Sequence, residues 1–315
     1  MSLPSQTTVQ NLSYAYKQPT WYPKGLLDQF VRKVPFEHVD QPSPSLDWNR
    51  ATVSIPALAV VAAGGTLTAT AMDTTKVTGN WVRIGDVAEV DYFHKASASD
   101  PFDQLEVQVT AKKIACVRSL GLNILEGLGG ADVFEGFKFR VTSGQTIGAA
   151  NNGANGGAPT IEEVHKLVSL VAASDGCVGA GADCLVAASK AVRFILKLIE
   201  DKGVTPQFVF DADLGVPVLL FNGIPVYVGQ NATTETKGSG SNLTSIWAVK
   251  LNGPTGVRVL HSGGDPSGFG IEVSDIPAQP TVATAGKFVG GNYALLVPED
   301  ESIARLNGCN LSTLV

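Results

Sequence analysis

Residues 184–231 read CLVAASKAVRFILKLIEDKGVTPQFVFDADLGVPVLLFNGIPVYVGQN, a helical pattern followed by a strand pattern. The i, i+3, i+4, i+7 spacing of one helical face is filled by Val192, Ile195, Leu196 and Ile199. Ser189 is predicted as the N-cap, and Asp201-Lys202-Gly203 supplies the stop signal. Residues 208–230 are rich in Val, Leu, Phe and Tyr and are interrupted at Asn222-Gly223, which predicts two strands around a tight turn.

Composition indicates a globular chain that can bury a large core. The 315 residues are 44% hydrophobic and only 17% charged, and 34 Gly and 17 Pro predict many turns, with more strand than helix. One intertwined fold and two domains both remain open. The net charge of −6 comes without a cluster of Lys and Arg, so the electrostatic footprint of high-affinity nucleic-acid binding is missing.

The N-terminus and the cysteines indicate the cellular compartment. MSLPSQTTVQNLSYAYKQ lacks the charged and apolar regions of a signal peptide, and no uncharged apolar run reaches about 18 residues. The four cysteines follow neither a zinc spacing nor a disulfide framework, and we expect reduced, mostly buried thiols at Cys116, Cys177, Cys184 and Cys309. The sequence therefore predicts a chain without membrane spans that is made and used in cytoplasm.

The first third of the chain contains two segments with little capacity to bury their own side chains. Residues 1–49 mix six prolines with aromatic residues, which predicts an extended arm along the fold or a neighbouring subunit, or else an ordinary strand-rich N-terminus. Residues 51–93 contain two β-type segments joined by a Thr/Gly-rich bridge at 64–79. We predict a two-stranded ribbon reaching roughly 40 Å. The alternative places these strands in a larger sheet of the same domain.

Helices and strands alternate in the remainder. Residues 102–126 predict one long helix packed on two sides, ended by Gly127 and Gly129. After a Gly/Asn-rich loop, Thr160 and Glu163 form a capping box for a second helix that ends at Asp175-Gly176. Its predicted buried stripe consists of Val164, Leu167, Val168 and Val171. Short strands are predicted near 245–251, 256–262 and 269–276 and within 287–310.

Motifs for catalysis, nucleotides or metals are missing from the sequence. There is no Gly-x-Ser-x-Gly elbow and no P-loop, and the histidines are scattered at His38, His94, His165 and His261. Asp211-x-Asp213 lacks the twelfth-position Glu of a calcium loop and is interpreted as turn chemistry. One enzyme hypothesis stays open, a small-molecule hydrolase or binding protein built on Cys177, Cys184 and Asp183, although no base is near them in sequence. No catalytic, cofactor-binding or metal-ligating residue is assigned, and no cofactor is expected.

In this order, the segments resemble the major capsid proteins of tailed bacteriophages, which have the Hong Kong 97-type fold. The resemblance spans nearly the full length and implies an α+β fold with an N-terminal arm, an extended β-ribbon loop, a peripheral domain with a long spine helix, and an axial domain. The carrying motifs are LNILEG and GGADVFEGF at and after the spine helix, FNGIPVYVGQN in the axial domain and FVGGNYALLVPEDESIARLNG as the returning strand. The implied limits are 1–49 for the arm, 50–95 for the loop, 96–150 with 272–315 for the peripheral domain, and 151–271 for the axial domain.

The resemblance also implies a function and partners. It implies a structural, non-enzymatic protein that self-assembles as pentamers and hexamers into an icosahedral phage head around double-stranded DNA, assembled in the host bacterial cytoplasm and located in the virion capsid. Its implied partners are copies of itself, a separate scaffolding protein, a portal, a decoration or cement protein, and non-specifically bound DNA, with no membrane. The alternative on the same fold is an encapsulin-like nanocompartment shell.

The sequence differs from some family members in two features. A charged helical scaffolding segment ahead of the arm is not present in the sequence, which implies a separate scaffold protein or an already mature chain. Some relatives join subunits by a Lys–Asn isopeptide bond; Lys76 with Asn307 or Asn310 has suitable chemistry, but solvated surface side chains are the favoured interpretation.

Overall fold

A computed structural model describes residues 28–40, 45–51, 74–91, 104–130, 133–148, 155–171, 181–229, 235–237, 240–253, 255–263, 269–276 and 284–311. Within these ranges the helices are α1 (Gln104–Glu126), α2 (Phe137–Arg140), α3 (Ile161–Leu170) and α4 (Ser189–Asp201). The strands are β1 (Phe36–His38), β2 (Ser45–Ala51), β3 (Thr74–Asn80), β4 (Val82–Asp91), β5 (Thr146–Gly148), β6 (Cys184–Ala187), β7 (Gln207–Asp211), β8 (Val216–Phe221), β9 (Ile224–Val228), β10 (Glu235–Lys237), β11 (Gly240–Val249), β12 (Arg258–Ser262), β13 (Glu272–Asp275), β14 (Thr284–Leu296) and β15 (Ile303–Cys309).

A five-stranded sheet supports the long helix. Its order is β1-β12-β14-β13, and β4 also pairs antiparallel with β14 over the whole length of β4. The apolar residues of α1 divide among separate clusters: Leu105 and Val109 pack with residues of β4 and β14, whereas Leu120 and Ile124 enter the largest core cluster. The prediction of one long helix is confirmed. The two clusters lie near its two ends, and Leu105, Val109, Leu120 and Ile124 fall on one side of the helix, so packing on two sides stays a prediction.

An eight-stranded sheet forms the other half of the core. Its order is β5-β15-β11-β6-β9-β8-β7, with β10 paired to β11. Helices α3 and α4 contribute Val164, Leu167, Ile195 and Ile199 to the cluster on one face of this sheet. The other face contributes Trp247 to the largest cluster. Strand β7 is the last strand of the sheet, so its outer backbone edge pairs with no described strand.

The ribbon prediction is partly correct. Strands β2 and β3 form a two-stranded antiparallel sheet from Ser45↔Asn80 to Ala51↔Thr74. Strand β4, predicted as part of the ribbon, instead belongs to the five-stranded sheet, as the alternative had it. Its alternation explains the difference: Ala88 and Val90 are buried against α1, and this burial stabilises the strand in the body of the protein. Residues 52–73, which hold most of the first predicted ribbon strand and the first part of the bridge predicted at 64–79, lie outside the described residues. The end of that predicted bridge forms β3, and most of β2 lies in the segment predicted as the arm.

Three local predictions are wrong in detail. Helix α4 begins at Ser189, and its N-cap is Ala188, which offers no side-chain oxygen; the strand before it fixes the helix start instead. Helix α3 ends at Leu170 rather than at Asp175, although its capping box and buried stripe are as predicted. The strand region after α4 contains three strands, because Gly215 at φ 69° closes an additional hairpin between β7 and β8.

The N-terminal segment differs from an extended arm where it is described. Residues 28–34 form turns, and Phe30, Val31 and Val34 are buried, with Phe30 packed edge-on against Phe137 at 5.8 Å between ring centroids. Residues 1–27 lie outside the described residues. The domain limits stay predictions; β12 pairs in the five-stranded sheet and β15 in the eight-stranded sheet, so these two strands cross the limit predicted at residue 271.

Candidate assembly surfaces

The ribbon of β2 and β3 is fixed at its root by one arginine. Arg140, at the end of α2, donates through Nη2 to the carbonyl of Thr78 at 3.1 Å and forms an ion pair with Glu135. The side chains of Arg140 and Glu135 are only 9% and 10% exposed. The Asn80 amide lies 3.5 Å from Glu135 Oε1, so the carboxylate is approached from both the ribbon and the body.

Aromatic stacking completes the root of the ribbon. The Arg140 guanidinium lies over the ring of Trp48, 4.9 Å from its centroid, and the Trp48 indole donates to the carbonyl of Val297 at 3.1 Å. Gly79 allows this close approach, since a Cβ there would lie 3.0 Å from the Trp48 ring and 3.1 Å from Arg140 Nη2. Sequence reasoning missed this cluster; a glycine inside a strand, which often marks close backbone approach, was the available signal.

A second charged cluster ties residues 28–34 to the hairpin of β7 and β8. Lys33 Nζ lies 2.9 Å from an Asp211 oxygen and 2.7 Å from Asp213 Oδ2, and the Tyr227 hydroxyl donates to Asp211 at 3.3 Å. Burial lowers the pKa of Lys33, but its hydrogen bonds to Asp213 and Asp211 outweigh burial and raise it. Burial raises the pKa of Asp211, but the hydrogen bond from Lys33 outweighs it and the pKa is lowered. The Asp-x-Asp motif is therefore a turn with a structural ion pair, as interpreted from sequence.

Two of the four histidines meet in the fold. Parallel pairing of β1 with β12 sets His38 beside His261, with ring centroids 5.2 Å apart. His261 is fully buried, its Nδ1 lies 3.2 Å from the Gly263 carbonyl, and its Nε2 has no hydrogen-bond partner among the described residues. Burial, together with the nearby His38, lowers the pKa of His261. His165 is exposed and contacts Asn222, and His94 lies outside the described residues.

The residues of the enzyme hypothesis have structural roles where they are described. Cys184 is buried in β6, and burial, with Asp183 nearby, raises the pKa of its thiol far above the range of a nucleophile. Asp183 accepts from the backbone N–H groups of Leu251 and Asn252 at 2.7 and 2.8 Å. Cys177 lies outside the described residues. Cys116, Cys184 and Cys309 are buried, as predicted.

Other sequence candidates lie apart from one another. Lys76 forms an ion pair with Asp47 across the ribbon, and Asn307 lies in β15 of the eight-stranded sheet. The cross-link between chains stays a prediction. In the described ranges, no three His, Cys, Asp or Glu side chains come together in a way that would hold a metal ion. Among the described helices, none combines the length and apolar composition needed to span a bilayer.

Solved structures of capsid and encapsulin shells share this fold, whereas comparison of the sequence with known families finds no match. No family model matches the chain, and no curated protein matches it. The holo-SrpI encapsulin complex from Synechococcus elongatus PCC 7942 matches with a TM-score of 0.69 and 18% identity over 99% of this chain and 98% of that chain. The capsid of a native GTA particle matches at 0.61 and 15%, over 98% and 100% of the two chains.

A phage capsid gives the same result. The capsid of cyanophage A-1(L) matches with a TM-score of 0.61 and 12% identity, over 90% of this chain and 93% of that chain. Each match covers nearly the whole of both chains, so the likeness concerns the complete architecture. With its two sheets, long helix and ribbon, the chain has the Hong Kong 97-type fold that these capsid and encapsulin subunits share.

Proposed function

We propose that this protein is a structural shell subunit that self-assembles as pentamers and hexamers into an icosahedral phage head enclosing double-stranded DNA. The observation that carries the proposal is the ribbon of β2 and β3. It is a separate two-stranded sheet bound to the body at Arg140, and a two-stranded sheet is marginally stable in water by itself. A neighbouring copy supplies the surface that such a ribbon lacks.

The shell role accounts for the chemistry of the chain. The described residues of the enzyme hypothesis have structural roles. Cys184 is buried and protonated, and Asp183 accepts hydrogen bonds from two backbone N–H groups. No residue is catalytic in this proposal. The net charge of −6 suits a wall that holds packaged DNA without binding it tightly.

An encapsulin-like nanocompartment shell is the second candidate. It is favoured by the match to the encapsulin subunit, whose coverage of 99% and 98% leaves no large segment of either chain unmatched. The two candidates share a fold and differ in contents, namely DNA or protein cargo. In the phage case, a separate scaffolding protein, a portal and a decoration or cement protein complete the particle.

Expression of the full chain, with sizing in solution and negative-stain electron microscopy, tests the shell function. Uniform closed shells or capsomer-sized rings are expected, and a persistent monomer at all concentrations contradicts the proposal. Nuclease-protected DNA or co-purified protein inside natively isolated particles separates the two candidates. A deletion of residues 66–73, which keeps β3 and the Thr78 carbonyl, is expected to impair assembly while the subunit stays folded; normal shells from this variant refute an inter-subunit role for the ribbon.

A further inference from the structure

Strand β7 exposes an apolar surface at the free edge of the eight-stranded sheet. Four successive residues of β7, from Gln207 to Phe210, are exposed, and Phe208 and Phe210 are 56% and 69% exposed. Val209 lies on the opposite face of the strand and is 49% exposed. We call Phe208, Val209 and Phe210, with Val204 and Val216 beside them, the edge patch. Half of the exposed large hydrophobic residues in the described ranges belong to it.

The exposed apolar area of the edge patch exceeds that of a single surface residue. With about 200 Å² for a Phe side chain, the exposed parts of Phe208 and Phe210 together amount to roughly 250 Å². Val209 and Val216 lie on the opposite face of the sheet, so the face that carries Phe208 and Phe210 exposes roughly 250 Å² of aromatic surface, about a third of one partner's share in a standard protein interface. Aromatic side chains are also the residue type that anchors such interfaces.

The patch is held rigidly before any partner arrives. Strand β8 behind it buries Val218 and Leu219, which pair with Val209 and Phe208. Asp211, at the end of β7, accepts hydrogen bonds from the backbone of the following turn and from Lys33. A rigid apolar surface loses little conformational entropy on binding, so its exposed area contributes efficiently to affinity.

Charge and shape identify the partner as a second copy of this chain. Residues 204–210 contain no charged side chain, which disfavours DNA or an anionic membrane as the occupant. The outer backbone edge of β7, which pairs with no described strand, can hydrogen-bond to another protein backbone, and apolar edges are surfaces through which protein chains associate. A cavity of about 300 Å³ adjoins the patch at Val204 and is lined by apolar residues such as Ile161 and by polar ones such as His165, so each copy presents both exposed aromatic rings and a recess of mixed polarity.

We propose that the edge patch is a contact between copies of this chain, anchored by Phe208 and Phe210. The proposal rests on the proposed shell function and names the surface through which neighbouring subunits meet. Burial of the two rings against another copy removes apolar area that the monomer leaves in water.

Assembly of the double variant F208T/F210T tests the proposal against wild type. Threonine keeps the strand propensity and both side chains are exposed, so the variant is expected to fold, with an unchanged circular dichroism spectrum and thermal midpoint. We expect sedimentation velocity to show at least a tenfold higher concentration for half-assembly. V209T is compared with V273T as a matched control, because Val273 is an exposed strand valine in the other sheet. Only V209T is expected to raise the concentration for half-assembly.

The outcomes separate the two proposals. If wild type forms shells and F208T/F210T forms them at the same concentration, the edge patch is not a contact, while the shell function stands. If wild type remains monomeric at every concentration, the shell function fails and the edge patch fails with it. A shift in V273T equal to that in V209T also overturns the proposal, because the effect then belongs to surface apolarity in general.

Discussion

Replacing Arg140 with methionine tests whether the ribbon is fixed by its buried ion pair. Methionine keeps an apolar stem against Trp48 but removes the charge, the hydrogen bond to Thr78 and the partner of Glu135. Loss of one member of a buried pair costs about 3–5 kcal/mol, because the remaining charge is desolvated and unpaired. The Asn80 amide at 3.5 Å retains one contact to Glu135, so we expect a loss near the lower limit, about 3 kcal/mol.

Urea denaturation of unassembled subunits measures this loss, since assembly would add a concentration-dependent term. With a denaturant slope of about 3 kcal/mol/M, the midpoint is expected to fall by about 1 M in R140M. E135Q and the double variant E135Q/R140M complete a double-mutant cycle. The double variant leaves no unpaired charge and is expected to be more stable than the sum of the single losses predicts, by about 1–3 kcal/mol.

A change below about 0.5 kcal/mol in R140M, or strict additivity in the cycle, refutes the argument, because both results would mean that the pair is solvated and the ribbon root is held by other contacts.

Three further predictions concern the body of the subunit. Thr160→Ala is expected to cost about 1 kcal/mol through loss of the capping box, whereas Ser189→Ala, inside the first turn of α4, is expected to change the unfolding free energy by less than half of that. Because the folded-state pKa of His261 is lowered, the free energy of unfolding falls as pH decreases from the unfolded-state value of 6.5 toward the folded-state value. In His261→Phe, the thermal midpoint is therefore expected to fall less between pH 7 and pH 5 than in wild type. An equal fall in both proteins contradicts this. In Cys177→Ser, a thiol reagent is expected to react only after denaturation, and rapid native labelling of Cys184 disproves its burial.

Sequence predicted the elements whose signals are local. The capping box at Thr160 and Glu163 and the long helix to Glu126 depend on spacing within one segment, and both are present. Ser189 failed as an N-cap because the preceding strand runs to Ala187 and leaves Ala188 in the cap position. Helix entry there is set by tertiary packing of β6, which a residue-type preference does not contain.

Contacts between distant segments were beyond sequence reasoning. Trp48 and Arg140 are separated by 92 positions and meet only because the ribbon folds back onto α2. His38 and His261 meet only through parallel pairing of β1 with β12, and scattered histidines in a sequence carry no such information. The sequence of β4 likewise fitted a strand of the ribbon and a strand of a larger sheet equally well. Burial against α1 places it in the five-stranded sheet.

An ion pair links residues 28–34 to the strand of the edge patch, and it stays charged over a wide pH range. Lys33 has a raised pKa and Asp211 a lowered one, so their ion pair remains charged from mildly acidic to alkaline solution. Tyr227, whose pKa burial raises to about 12, remains a hydrogen-bond donor to Asp211 over the same range. Because Asp211 ends β7, this ion pair joins residues 28–34 to the strand that carries Phe210. Protonation of His261 instead acts at β1 and β12 in the other sheet, so acidification is expected to loosen the five-stranded sheet while the edge patch keeps its position.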